Sequence, residues 1–193
     1  MRKNRFSTSF IVGVCVAALL FVSACSINVK KEANGQDKQV DINTLAGNIH
    51  VSKQADASDT GLAVYPGAHL REKNSGDDKS ANVNISGFGY GIKVVALEYE
   101  SSDAPGKVLS FYKDQMKKYG DVLECRTSSL HVNMKMHSKG DSNQLTCDGE
   151  NGRDVELKAG KNDEQHIVAV EPDGNGSSFS LVYVRTHGKD ADI

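Results

Sequence analysis

An α+β domain, in which one amphipathic helix packs on an antiparallel strand meander behind additional N-terminal hairpins, is the fold class this sequence predicts. Three observations predict it. Between Asp103 and Gly120 apolar residues recur at helical spacing, whereas most stretches between Ile92 and Thr186 alternate apolar and polar residues. Gly, Asn and Asp lie between the alternating stretches, as short antiparallel connections require.

The chain begins with a segment that does not belong to the domain. Arg2, Lys3 and Arg5 precede Phe10 to Val22, an apolar run without a charge. That run is too short for a membrane span, which needs about 20 apolar residues to cross roughly 30 Å of hydrocarbon. A basic n-region followed by a short apolar core is instead the pattern of a secretory signal. At its end, Val22-Ser23-Ala24-Cys25 resembles the lipobox of bacterial lipoproteins. The resemblance implies cleavage before Cys25, so that 1–24 is a removed signal peptide. It also implies attachment of acyl chains, palmitate among them, through the Cys25 sulfur. Two or more chains, at about 0.8 kcal/mol per buried methylene, hold a protein stably on a bilayer. In that family the residue after the cysteine influences sorting, and Ser26 is not the aspartate associated with inner-membrane retention, so the resemblance implies the periplasmic side of the outer membrane in a cell with two membranes.

The remainder reads as a flexible stalk over 25–38, polar and charged ("SINVKKEANGQDK" after Cys25), and one extracytoplasmic domain over 39–193, with 39–60 as a loosely attached hairpin. Without Arg2, Lys3 and Arg5, 20 basic residues face 25 acidic ones, a net charge of −5. That sign argues against nucleic acid and against electrostatic binding to anionic lipid. Membrane attachment is therefore expected through Cys25 alone.

Of four cysteines, Cys15 would leave with the signal and Cys25 would carry lipid, which leaves Cys125 and Cys147. A pair outside the cytoplasm points to a disulfide, worth ~3 kcal/mol by chain entropy. Neither cysteine sits in a CxxC motif or beside an evident base, as a reactive thiol would.

Asp103 and Pro105 form a helix-start signal, Val108, Phe111, Tyr112, Met116 and Tyr119 give the apolar stripe, and Gly120 supplies the stop. Strands are expected at Ile92 to Glu100, Val122 to Arg126, Leu130 to His137, Gln144 to Asp148, Val155 to Ala159, His166 to Val170 and Phe179 to Thr186. Nearer the front, "VDINTLAGNIHV" (Val40 to Val51) and "VNISGFGYGIKV" (Val83 to Val94) match without gaps at Val40/Val83, Ile42/Ile85, Ile49/Ile92 and Val51/Val94. Each reads as two short strands around a glycine-bearing turn. Duplication or convergence of two hairpins with equal loops would produce this echo, and convergence is the simpler account. "VYPGA" (Val64 to Ala68) followed by "SSDAPGKVLSFYKDQMKKYG" (Ser101 to Gly120) resembles segments of uncharacterised bacterial lipoproteins and secreted proteins. That resemblance covers Gly61 to about Gly120 and implies a fold, not an activity.

Candidate chemistry is sparse. His131, Met134, Met136 and His137 carry nitrogen and sulfur ligands that suit copper, but an extended backbone would send the methionines and histidines to opposite faces. "EPDGNGSS" (Glu171 to Ser178) offers oxygens at Asp173, Asn175 and Ser177, yet its glycines are misplaced for a calcium loop and a hairpin turn explains it better. "GFGYG" (Gly87 to Gly91) lacks the spacing of a phosphate loop. Acidic "GDDK" and "NDEQ" read as solvated loops. No catalytic motif, cofactor or resident metal is implied, and with tryptophan absent only Phe88 and Tyr90 could offer an exposed aromatic platform. The expected function is therefore a lipid-anchored envelope lipoprotein that binds an unidentified envelope protein or ligand and is not an enzyme. The alternatives are a weak copper binder, or an envelope enzyme whose site assembles only in the fold. The latter would first show as a deep pocket lined by His or acidic groups with shifted pKa values.

Overall fold

The computed structural model describes residues 25–31, 37–71, 80–127, 144–147 and 152–187. The expected signal peptide (1–24), the expected strand Leu130 to His137 and the copper alternative at His131, Met134, Met136 and His137 lie outside them, as does "GDDK". The elements are β1 (Ser26–Lys31), β2 (Asp37–Thr44), β3 (Gly47–Ser52), β4 (His69–Leu70), β5 (Ser80–Gly87), β6 (Tyr90–Ser101), helix α1 (Pro105–Met116), β7 (Leu123–Thr127), β8 (Asp154–Lys161), β9 (Glu164–Asp173) and β10 (Gly176–His187). Two short 3-10 turns, Ala57–Thr60 and Lys117–Tyr119, complete the set. The fold is α+β: a single antiparallel sheet of order β1-β2-β3-β5-β6-β10-β9-β8-β7, with β4 added against the end of β6 that β5 does not reach. No described helix is long and apolar enough to cross a membrane.

Side-chain alternation divides the sheet into two faces. On the first, Val95, Leu97, Tyr99, Leu157, Val168, Val170, Phe179 and Leu181 are buried beneath α1, which contributes Val108, Tyr112 and Met116. Aromatic rings knit this core. Phe179 stacks on Tyr99 (centroids 5.6 Å apart) and meets Tyr112 at 5.6 Å, while Tyr65 stands edge-on to Phe111 at 5.1 Å. Such pairs contribute about 0.5–1.5 kcal/mol each beyond area burial. On the second face, Val94 and Ala96 pack with Ile167, Val182 and Val184.

The echo between the two hairpins becomes geometry on that second face. Val29, Val40, Val51, Val83, Val94 and Val184 lie opposite one another across six strands. Ile27, Ile42, Ile49, Ile85 and Ile92 form a parallel row one pleat away. Cross-strand β-branched pairs stabilise a sheet by roughly 0.2–1 kcal/mol each. Matching positions in two hairpins are thus one register extended sideways.

Several expectations change. Ser26–Lys31 form a strand paired with β2 in place of the flexible stalk, because Ile27 and Val29 prolong the two apolar rows. Residues 39–60 are not loosely attached: β3 is joined to β5 along Gly47–Ser52, and Thr60 is fully buried. Helix α1 starts as expected at Pro105, but its N-cap is Ala104 and no side chain caps it. Asp103 instead accepts hydrogen bonds from Tyr65 (2.8 Å) and Lys107 (2.7 Å), which hold its carboxyl below the usual range, the lysine contact most of all. Gln144–Cys147 is irregular rather than a strand. It crosses the second face, where Lys158, itself in a buried ion pair with Glu156 (2.8 Å), reaches the Thr146 carbonyl at 3.4 Å.

Cys125 and Cys147 are joined, with their Cα atoms 5.4 Å apart. The bridge fastens this irregular segment to β7 at the sheet edge. Replacing both cysteines with alanine should lower unfolding free energy by ~3 kcal/mol, the chain entropy of a loop of this size. Denaturant unfolding of the variant, with the m-value compared against the parent, measures it.

Candidate functional site

The residues "DASDTG" (Asp56 to Gly61) carry their own folding instructions. Asp56 accepts from the Ser58 amide at 2.8 Å while its own amide donates to Asp59 at 3.2 Å, a reciprocal capping box that starts the 3-10 turn. Gly61 ends it with φ +72°. Beyond Gly61 the chain runs as a strap across α1, and side chains of the helical layer satisfy its backbone. Gln115 accepts from the Ala63 amide (3.0 Å) and the Tyr112 hydroxyl accepts from the Tyr65 amide (3.0 Å). Tyr119 (2.6 Å) and Lys118 (2.8 Å) both donate to the Gly61 carbonyl. Tyr112 lies so deep that burial drives its phenol pKa far up.

Where the strap meets β9 and β10 there is a cleft of about 460 Å³. His166 forms its floor, 5% exposed although it is an imidazole on a strand. Its Nδ1 donates to the Thr60 carbonyl at 2.8 Å, since a carbonyl can only accept. Tyr119 lies flat on the ring, with centroids 3.5 Å apart. On the neighbouring strand Tyr183 pairs with His166, its ring 5.1 Å away, and its hydroxyl donates to Glu164 Oε1 at 2.8 Å. Lys93, Lys161, Asp59 and Asp163 line the walls, with Lys93 Nζ 5.8 Å from the Tyr183 ring centre.

Burial lowers the His166 pKa from its ordinary 6.5; the Thr60 bond and nearby Glu164 oppose that shift, and Lys118 adds to it. The ring is therefore neutral at pH 7, with its proton on Nδ1 and its lone pair on Nε2. Tyr183 is pushed up to about 12 by burial and by its bond to Glu164, so it too is neutral. The site offers one fixed imidazole acceptor beside the neutral phenol of Tyr183, with both charge signs at its walls.

The structure treats the sequence candidates differently. Cys25 is exposed and unpaired at the start of β1. "GFGYG" is the turn from β5 to β6, and "EPDGNGSS" is the hairpin turn from β9 to β10. "NDEQ" is the turn from β8 to β9, but its Glu164 is the acceptor for Tyr183 rather than a purely solvated charge. Among the described residues no group of three or more His, Cys, Asp or Glu side chains is placed to hold a metal. His166 escaped the sequence reading because "HIVAV" shows only a strand led by a histidine. The local signal that could have flagged the site is the DxxD capping box with its glycine stop.

Two measurements probe the cleft. A methyl group on Gly61 would stand 2.3 Å from the Tyr119 hydroxyl, at a φ that disfavours other residues. Gly61→Ala should cost at least about 1–2 kcal/mol in denaturant unfolding. For His166, a folded pKa below 6.5 means the unfolded chain binds more protons, so its contribution is complete above that value and is lost as pH falls through the folded pKa. The stability difference between wild type and His166→Gln should stay constant above pH 7 and shrink below about 6.5. Parallel urea melts from pH 8 to 5 give that difference.

No family model, curated protein or solved structure matches this chain.

Proposed function

We propose that this chain is a bacterial envelope lipoprotein, held to a membrane by acyl chains on Cys25, whose body is a binding module for a small polar ligand. The observation that carries the binding reading is the neutral, buried imidazole of His166 at the floor of the cleft, locked by Thr60 and Tyr119 with Nε2 as an acceptor. A matching ligand donates a hydrogen bond to Nε2 and carries polar groups that meet Lys93 or Lys161 on one side and Asp59 or Asp163 on the other. The anchor reading rests on the n-region, apolar core and lipobox, and it accords with an exposed Cys25 thiol. The disulfide accords with an oxidising compartment.

One observation favours a second reading, an envelope enzyme: a histidine and a tyrosine with shifted pKa values face one cleft beside Glu164. Binding is preferred because both groups already serve the fold. Nδ1 is committed to Thr60 and the Tyr183 hydroxyl to Glu164, which leaves Nε2 as the one imidazole position open to chemistry.

Native mass spectrometry of protein purified from membranes tests both halves. The expected mature product lacks residues 1–24 and carries acyl mass on Cys25, and an unprocessed amino terminus would overturn the anchor. Titration with amino acids, short peptides and charged sugars should reveal saturable binding that His166→Gln weakens roughly tenfold or more, the cost of one lost buried hydrogen bond. Binding unchanged in that variant would reject the cleft, and steady conversion of the bound compound would replace the module with the enzyme.

A further inference from the structure

One end of the sheet gathers features that neither the cleft nor the core uses. Ser26 pairs with Asn43, so Cys25 leaves the sheet beside the β2–β3 turn, where Leu45 is 84% exposed. Gly47 pairs with Gly87, which brings the β5–β6 turn alongside, with Phe88 76% and Tyr90 62% exposed. Three large apolar side chains thus project from adjacent turns at the end where the chain's first described residue lies. Below them the isoleucine row opens into a groove of about 360 Å³ lined by Ile42, Ile49, Ile85 and Ile92. Neither turn contains a charge: residues 43–48 are Asn, Thr, Leu, Ala, Gly and Asn, and residues 86–91 are Ser, Gly, Phe, Gly, Tyr and Gly.

Phe88 is the second observation. It is the only non-glycine among the described residues with positive φ, at +53°, followed by Gly89 at +82°. Two positive φ angles define a turn that favours Asn-Gly, so an exposed phenylalanine there gives up backbone ease without packing in return. Strain kept at an exposed position points to a use outside the fold.

We infer that the tips of these two hairpins dip into the bilayer beside the lipidated Cys25, so that the body is seated on the membrane instead of swinging from it. This rests on the anchor reading above. Its physical basis is separate. Strand β1 begins at Ser26, immediately after the anchor, and leaves no slack between lipid and sheet. Apolar tips free of charge enter the interfacial region without desolvating an ion, and aromatic rings such as Phe88 and Tyr90 suit that depth. Net charge contributes no attraction, so insertion depends on these side chains.

The chain has no tryptophan, so one introduced indole is a unique reporter. The full lipidated protein carrying Leu45→Trp, or Tyr90→Trp as a second reporter, is reconstituted into phosphatidylethanolamine/phosphatidylglycerol vesicles with and without brominated acyl chains. Asn175→Trp, in the β9–β10 turn at the opposite end of the sheet, is the control. Brominated lipid should quench both tip reporters with a blue shift in emission and leave the control unchanged. Adding Leu45→Ser with Phe88→Asn, which suits the turn, should return the Tyr90→Trp signal to the control level while the lipid keeps the protein on the vesicle. Equal quenching at both ends, or none at the tips of protein whose acylation is verified by mass, overturns the seating alone. An unacylated, vesicle-free product overturns the anchor reading and this inference with it.

Discussion

The strap between Gly61 and Tyr65 has no sheet partner, and its backbone must be satisfied by side chains. Tyr112 and Gln115 from α1, with Lys118 and Tyr119 just beyond it, supply those bonds. Buried amides and carbonyls left unpaired would cost more than most packing contacts return. The strap therefore fixes how α1 lies on the sheet, and α1 fixes where the strap runs. His166 inherits its environment from that agreement, because Thr60 and Tyr119, which hold it, are at the two ends of the same arrangement. "VYPGA" and the helix from Pro105 are the two halves of this clamp. Tyr65 joins them, its amide to Tyr112 and its hydroxyl to Asp103.

A second constraint divides the sheet. Helix α1 covers one face of the C-terminal strands, while the apolar rows of the N-terminal hairpins lie on the opposite face. Strands β6 and β10 serve both, with Leu97 and Leu181 turned to the helix and Ala96 and Val182 turned away. On the N-terminal strands the helix-side face is polar, and Asp41 and His50 pair across it at 2.5 Å, a bond that lowers the Asp41 pKa. Alternation along most of these strands records this arrangement.

That record is why much of the fold was legible. The stripe Val108, Tyr112, Met116 and the strands β6, β8, β9 and β10 announce themselves by period, since local pattern and tertiary burial agree there. Strand β1 did not, because its alternation is only Ile27 and Val29 among polar and charged residues, and pairing with β2 decides its state. Gln144–Cys147 erred in the other direction: its alternation suggests a strand, but it lies over a face of the sheet instead of joining the ladder. The cleft was the least legible part. His166, Thr60, Tyr119 and Tyr183 are scattered through the chain, and no local spacing can announce a ring stack that the strap and helix create together.

The longest seam in the sheet joins residues 91–101 to residues 177–187. Everything upstream of the seam must wait for the final strand before the two halves of the sheet become one body. Such distant pairing makes closure slow. Until β10 slots between β6 and β9, the facing edges of those two strands stay unpaired, and an open apolar strand edge is a template for pairing with another chain.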